Sequence, residues 1–456
     1  MDKKQRNKIL TVLFIGVLMG ALDIAIVGPA LPAIQKQFNV DERSVSWIFS
    51  IYVLFNLIGT PLMAKLSDVT NRRKIYILDV TLFAIGSLVV ALSSNFTVLL
   101  VGRAIQGFGA GGIFPVASAV IGDTFPEENR GSALGLIGAV FGIAFIIGPA
   151  LAGVLLLFSW HWLFIINIPI ALIVIYFSFS TIPDTSNKQS NKFDWAGISL
   201  LIIILSTLAY GLSQLDSSNL MESLSSIREF PLFIIALFLI PFFVIHENKK
   251  TDPVLRIKLL NPLQVKLTGL LAMGAGISEA AVVFVPPLLV ARFGFTASKA
   301  SFMLIPVVIA MAVGSPTAGR MLDKFGSKFV LFTGTALLTA GMFGLTFNSL
   351  SIVTFYITAA FIGLGMGFLV GAPLRYIMLK EAKKSERGSA QGVLTIFTGM
   401  GQLFGGVLVG AIAASRGGGV MGLRYSYFWV GVIMFVLFVV TLGLKDRKKE
   451  LAKSED

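Results

Sequence analysis

Cysteine is absent from the 456 residues, and histidine occurs only twice, as His161 and His246. Disulfides, thiolate metal sites, cysteine nucleophiles and histidine-based metal clusters are therefore excluded. Charge is scarce as well: 13% of residues are Asp, Glu, Lys or Arg, against about 25% in a soluble domain. With 55% hydrophobic residues and a mean hydropathy of +0.84, the chain has too little polar surface to cover a globule of its length. A soluble enzyme is ruled out. No Walker-type lysine follows a glycine loop, so ATP is not the energy source. Gly107-Phe-Gly109-Ala-Gly-Gly112 matches a dinucleotide-binding pattern in form, but it follows no strand and lies inside an apolar run.

What the chain does have is long apolar runs. A membrane-crossing helix needs about 20 such residues. Fourteen runs meet that length between residues 9 and 444, including 9–29, 75–93, 97–120, 133–157, 265–290, 300–318 and 329–347. The expected fold is an all-α integral membrane protein with 14 transmembrane helices and short connections. The opening MDKKQRNK has no cleavage site after it and reads as a cytoplasmic tail. With that end inside, the inner segments hold 29 Lys and Arg and the outer segments 7, with Arg103 within a span. Basic residues concentrate on the cytoplasmic side of membrane proteins. Both termini are thus expected in the cytoplasm, on a multi-pass protein of the cell membrane. The net charge of +13 reports topology and not nucleic-acid binding.

The sequence repeats itself. Ala64-Lys-Leu-Ser-Asp68 through Lys74 is echoed by Gly319-Arg-Met-Leu-Asp323 through Lys328, an offset of 255. Arg130-Gly-Ser-Ala-Leu-Gly135 is echoed by Arg387-Gly-Ser-Ala-Gln-Gly392, an offset of 257. Two matches at nearly one spacing divide the chain into a six-helix half (1–182), two inserted helices with their linkers (183–262) and a second six-helix half (263–456). Eight spans separate equivalent helices, so the halves share one orientation, and a site at the midplane between them is expected. The same spacing relates Asp23 to Glu279, each in the first helix of its half. Acids within spans are costly and mark function. Two unrelated, structurally paired acids are the plainer alternative. Asp79, about one turn inside its run, is expected to reach the interface and is set apart.

These residues resemble the major facilitator superfamily, and within it the 14-helix drug:proton antiporters, along essentially the whole chain. The Asp68 and Asp323 loops are similar to the family's Gly-x-Leu-x-Asp-x-x-Gly-Arg-Lys signature, with Ala64 and Asn71 where glycine is usual. Arg103-Ala-Ile-Gln106-Gly107 resembles its Arg-x-x-Gln-Gly. Gly135 and Gly148-Pro149-Ala-Leu-Ala152-Gly153 resemble the antiporter signature, with Ala144 and Ala152 replacing two glycines. Trp160-His161-Trp162 and Asn167-Ile-Pro169 resemble a loop pattern of the subfamily, with His161 in place of its arginine. The resemblance implies a proton-coupled exporter of amphipathic or cationic drugs. It also implies packing of the fifth span against the tenth, where Gly314-Ser-Pro316 offers a small surface.

Physical roles follow for each residue. Asp23 and Arg103 each lie about 9 Å below the outer surface at 1.5 Å per residue. If they meet, the cation and the dryness of a closed cavity pull the acid's proton affinity in opposite directions, as a coupling site requires. A static ion pair is the alternative. Gln106, one turn from Arg103, is placed to orient that pair or a ligand. Glu279 has no basic residue at its depth and fits either a proton or a cationic substrate. Asp68 and Asp323 are expected to accept hydrogen bonds from a helix N-terminus, while Arg72 and Arg73 grip acids on another helix or anchor anionic lipid. With Gly148 and Pro149, these are the expected gating residues. Gly138 and Gly142 form a GxxxG pair that permits close approach of a helix. No cofactor is expected beyond the proton gradient. The expected partners are a small amphipathic substrate, protons and membrane lipid, on a monomer. A dedicated exporter of one antibiotic, lipid or metabolite, and a non-transporting receptor or scaffold on a transporter frame, are the alternatives.

Overall fold

Every apolar run becomes helix, and no strand occurs among the described residues. The computed structural model describes residues 2–184, 194–219, 222–223, 230–250, 253–383 and 386–452. Lys188, Ser190, Lys192, Arg228, Lys384 and Lys453, all in expected inner or outer segments, lie outside them. The first half opens with α1 (Lys3–Phe38), α2 (Glu42–Val69), α3 (Arg72–Ala91), α4 (Phe96–Thr124) and α5 (Glu127–Leu155). A short α6 (Trp162–Ile165) leads into α7 (Asn167–Thr181). The inserted pair is α8 (Trp195–Gln214) and α9 (Phe230–Lys249). After a 3-10 turn at Ile257–Leu260 come α10 (Leu263–Val283), α11 (Val285–Phe293), α12 (Ala297–Phe302) and α13 (Ile305–Phe325). The chain continues through α14 (Ser327–Gly344), α15 (Ile352–Leu369), α16 (Ala372–Glu381), α17 (Arg387–Ser415), α18 (Gly419–Thr441) and α19 (Arg447–Ala452).

Among the described residues, thirteen helices are long and apolar enough to cross a membrane. The run expected at 329–347 is α14, which falls outside that set. Its 18 residues begin with Ser327 and Lys328 and carry interspersed threonine and glycine, which lower its hydropathy. Four expected spans are each made of two helical pieces, with breaks at Ile166, at Phe284, at Met303–Leu304 and at Val370–Gly371.

Two compact units divide the residues. One comprises Met1–Val40, Trp47–Ile198 and Thr296–Phe302; the other comprises Asp41–Ser46, Ser199–Phe295 and Met303–Asp456. In the first unit, α1 packs on α5 and α7, and α3 on α4 and α7. In the second, α10 packs on α17 and α18, and α14 on α15 and α18. With α2 against α4 matched by α13 against α15, these are the same pairings at equivalent positions of the sequence repeat.

Helix contacts in lipid depend on close backbone approach, because burying apolar surface gains little there. Gly107 shows how tight this is. A Cβ at that position would overlap the Tyr52 carbonyl oxygen and stand 2.9 Å from the Tyr52 Cα on α2. Forcing atoms into such a contact costs about 1–3 kcal/mol. Gly107→Ala should lower the unfolding temperature of the purified protein and shift Tyr52. An unchanged melting curve would contradict this α2–α4 packing.

Candidate functional site

Glycines set the geometry of the N-terminal cluster. Gly86 of α3 lies against the Gln106 backbone, where a Cβ would be 2.7 Å from its Cα, and Gly107 lies against Tyr52. This holds α2, α3 and α4 close enough for one polar group to be shared across four helices. Asp23, Arg103, Gln106 and Ser87 are all 0% exposed.

Arg103 and Asp23, matched in depth by the sequence, are in contact: Nη1 of Arg103 lies 2.6 Å from Oδ2 of Asp23. The same Nη1 donates to Oε1 of Gln106 at 2.6 Å. The Gln106 amide in turn donates to Oδ1 of Asp23 at 2.7 Å and to Oγ of Ser87 at 2.8 Å. Asn167, at the start of α7, donates to Oδ1 of Asp23 at 3.4 Å and to Ser87 at 3.3 Å. Nε of Arg103 donates to the Ile48 carbonyl at 3.0 Å, and its guanidinium lies 4.2 Å from the centre of the Tyr52 ring. Nη2 of Arg103 and the Tyr52 hydroxyl have no hydrogen-bond partner among the described residues. Both Asp23 oxygens are thus met by donors, and Gln106 is built into the pair. Protonating Asp23 would leave the buried guanidinium uncompensated, so a proton at this place has to be accompanied by rearrangement or by another ligand.

Glu279 stands differently. It is partly exposed on α10, where Nε2 of Gln402 on α17 donates to its Oε2 at 2.6 Å. No ion pair reaches it among the described residues. The repeat therefore places one acid in a closed ionic cluster and its counterpart in an open, amide-held position.

At the end of α2, Arg72 donates to Oδ1 of Asp68 at 2.7 Å and also pairs with Asp123 of α4. Arg73 pairs with Asp184, beyond α7. Both arginines do grip acids on other segments. The expected capping role of Asp68 is corrected: Asn71 caps α3, accepting from the Lys74 amide at 3.1 Å and donating to Asp184. The second copy departs further. Asp323 is exposed, and the first amide of α14, on Ser327, instead donates to Oε2 of Glu450 at 3.3 Å. Arg447 donates to the carbonyls of Leu322 and Asp323. Beside this clasp Lys328 pairs with Asp446 at 2.9 Å and holds its carboxyl below the usual range.

Other expectations also change. A Cβ at Gly148 would stand 2.5 Å from Ala25 on α1, and the Pro149 carbonyl accepts from Ser301 of α12 at 2.7 Å. The fifth span thus meets the opening of the tenth, whereas Gly314 faces α15, where a Cβ would stand 3.1 Å from the Leu364 carbonyl oxygen. Among the described residues no other helix comes within 4 Å of where a Cβ on Gly138 or Gly142 would be. Asp79, set apart as close enough to the end of its run to reach the interface, is 0% exposed within the protein. His161 stacks on Trp160 at 3.8 Å, and partial burial lowers its pKa. Sequence reasoning missed Tyr52 and Ser87, which no pattern marks, and left Asn167 without a role although its Asn-Ile-Pro motif was visible.

The sequence profile of the Major Facilitator Superfamily matches residues 13–247 and 268–456. An uncharacterised MFS-type transporter of Bacillus subtilis, YfiU, is 34% identical over 88% of this chain and 78% of its own. The multidrug transporter protein MdtP of the same organism is 30% identical over 92% of this chain and 77% of its own. Among solved structures, a bacterial homologue of the lysosomal transporter Spinster superposes with a TM-score of 0.70, covering 97% of this chain and 98% of that one at 15% identity. A D-xylose-proton symporter superposes at 0.68 over 95% of this chain and 96% of its own, at 14% identity. The thirteen membrane-length helices, the repeated packing and these matches agree: the chain belongs to the Major Facilitator Superfamily and is a multi-pass membrane transporter, not an enzyme.

Proposed function

We propose that this transporter is a proton-coupled exporter of amphipathic or cationic compounds, of the 14-helix drug:proton antiporter type, working by alternating access in the cell membrane. The observation that carries the reading is the fully buried Asp23–Arg103–Gln106 cluster, in which an acid is tied to a cation it cannot abandon without a change of partners. The multidrug relative MdtP supports the substrate class. In this reading Asp23 is the coupling acid, and Arg103 and Gln106 set its partners. The half-open Glu279 receives a cationic substrate or a second proton. Asp68, Arg72, Arg73 and Asp323, with Gly148 and Pro149, belong to the gating surfaces. The fourteenth span is α14, whose 18 residues reach about 27 Å at 1.5 Å per residue, close to the thickness of the hydrocarbon core. Both termini then lie in the cytoplasm.

Proteoliposomes with an imposed pH gradient test the proposal. Adding a cationic lipophilic dye should dissipate the gradient faster than in protein-free vesicles. Glu279→Gln should weaken transport of cationic dyes about tenfold while sparing neutral amphipaths, since a lost charge contact of about 1.4 kcal/mol is a factor of ten. Dye uptake that never moves protons would refute coupling; equal losses for cationic and neutral dyes would remove Glu279 from charge recognition.

A further inference from the structure

Asp79 lies on α3, is fully buried, and has no hydrogen-bond partner for either carboxylate oxygen among the described residues. It is separate from the cluster already described. Ser87, that cluster's member on α3, is eight residues further along, about 12 Å at 1.5 Å per residue. Arg72, with Asp68 and Asp123, is seven residues back, about 10 Å. The carboxyl faces α4, where Gly112 leaves room for it; a Cβ at Gly112 would overlap the carboxyl group itself. One turn before Asp79, the Tyr76 hydroxyl is also buried without a partner, as is that of Ser178 on α7.

No charge on the surrounding helices answers this acid. Of the elements packed on α3, α1, whose Gly16 lies against the Tyr76 hydroxyl, carries the buried Asp23, and α4 carries Arg103 and Asp123; these are engaged in the Asp23–Arg103 and Arg72–Asp123 pairs. Helix α6 carries no titratable side chain, and α7 carries only Tyr176, which is exposed. An ionised carboxylate cannot persist in such surroundings without a compensating ligand. A metal cation would need several converging oxygens, and Asp79 belongs to no cluster of three or more acids or histidines among the described residues.

We propose that Asp79 is a proton-binding site of the N-terminal half, distinct from Asp23, and that its proton is exchanged during the transport cycle. The pocket at Gly112 holds the neutral carboxyl, and α3 links it to the coupling cluster at one end and to the Arg72 ion pairs at the other. Only the exchange step rests on the proton-coupled reading; occupancy by a proton does not.

Infrared difference spectroscopy of the full-length protein in lipid, compared between water and heavy water, tests occupancy. A carbonyl band of a protonated, buried carboxyl should be present in the wild type, lost in Asp79→Asn and retained in Asp23→Asn. A band that survives in Asp79→Asn overturns the proposal. Should that variant not fold, Gly112→Ala crowds the same carboxyl and should shift the band; an unmoved band is equally fatal. Exchange is read from the proton-to-substrate ratio in proteoliposomes, which should fall in Asp79→Asn. A wild-type ratio there would overturn exchange. If the wild type moves no protons with any substrate, the proposed function fails, yet the infrared band still decides whether Asp79 holds a proton.

Discussion

Asp23→Asn is expected to abolish uphill, proton-driven efflux while downhill movement of substrate remains measurable. The substitution keeps the shape of the side chain and one of the two acceptor oxygens that Arg103 and Gln106 use at 2.6 and 2.7 Å, and turns the other into a donor. What disappears is the carboxylate of the cluster, the acid proposed to exchange the proton. An exchanger must let proton and substrate weaken each other's binding, and that effect is reciprocal between the two ligands. Without this acid, the dependence of the substrate's affinity on pH should weaken. Efflux against a substrate gradient in proteoliposomes is the measurement, and a fall of at least a hundredfold is expected. Near-normal pumping would remove Asp23 from coupling and leave Glu279 and Asp79 as the remaining acids; normal pumping with all three neutralised would end the antiport reading.

Arg103→Leu is the second large effect, and it should appear first in stability. Breaking a buried ion pair from one side costs about 3–5 kcal/mol, because the remaining charge is stranded without solvent. Here the stranded groups would include Asp23 and the Ile48 carbonyl, which also loses its donor. Adding Asp23→Asn to Arg103→Leu should recover much of that loss, so the two substitutions will be strongly non-additive. Transport should not recover with it. Unfolding in a graded denaturing detergent gives the four corners of the cycle. An additive cycle would mean that the pair contributes no net interaction.

The helices and the Asp23–Arg103 contact were legible because both follow from local rules, namely apolar run length and equal depth along two helices. The packing pairs repeated in the two units had their trace in the recurring Asp68 and Asp323 loops. Other features were hidden for physical reasons. The third span was started at its apolar run, whereas Asn71 caps the helix one turn earlier. The cap on α14 comes from Glu450, 123 residues away, and no local pattern announces a partner at that distance. Small residues at Gly138 and Gly142 signalled permission for a close approach; what approaches is set by the rest of the fold. Ser87 and Asn167 were invisible as partners of Asp23 because their relevance depends on four helices meeting.

The 80 residues between Asp23 and Arg103 also order events during synthesis. A ribosome adding about 5–20 residues per second makes the acid some 4–16 s before its cation. The first helix must therefore enter the bilayer carrying an unpartnered carboxyl group, a penalty of about 2.5–3.5 kcal/mol at mid-membrane on the insertion scale. The surrounding stretch from Ile9 to Val27 is rich in Leu, Ile, Val and Phe, each worth about −0.3 to −0.6 kcal/mol on that scale, and so carries the acid in unaided. Loss of Arg103 thus leaves membrane entry intact and strikes only when the fourth helix arrives, so a quality-control protease would meet an inserted but unassembled chain.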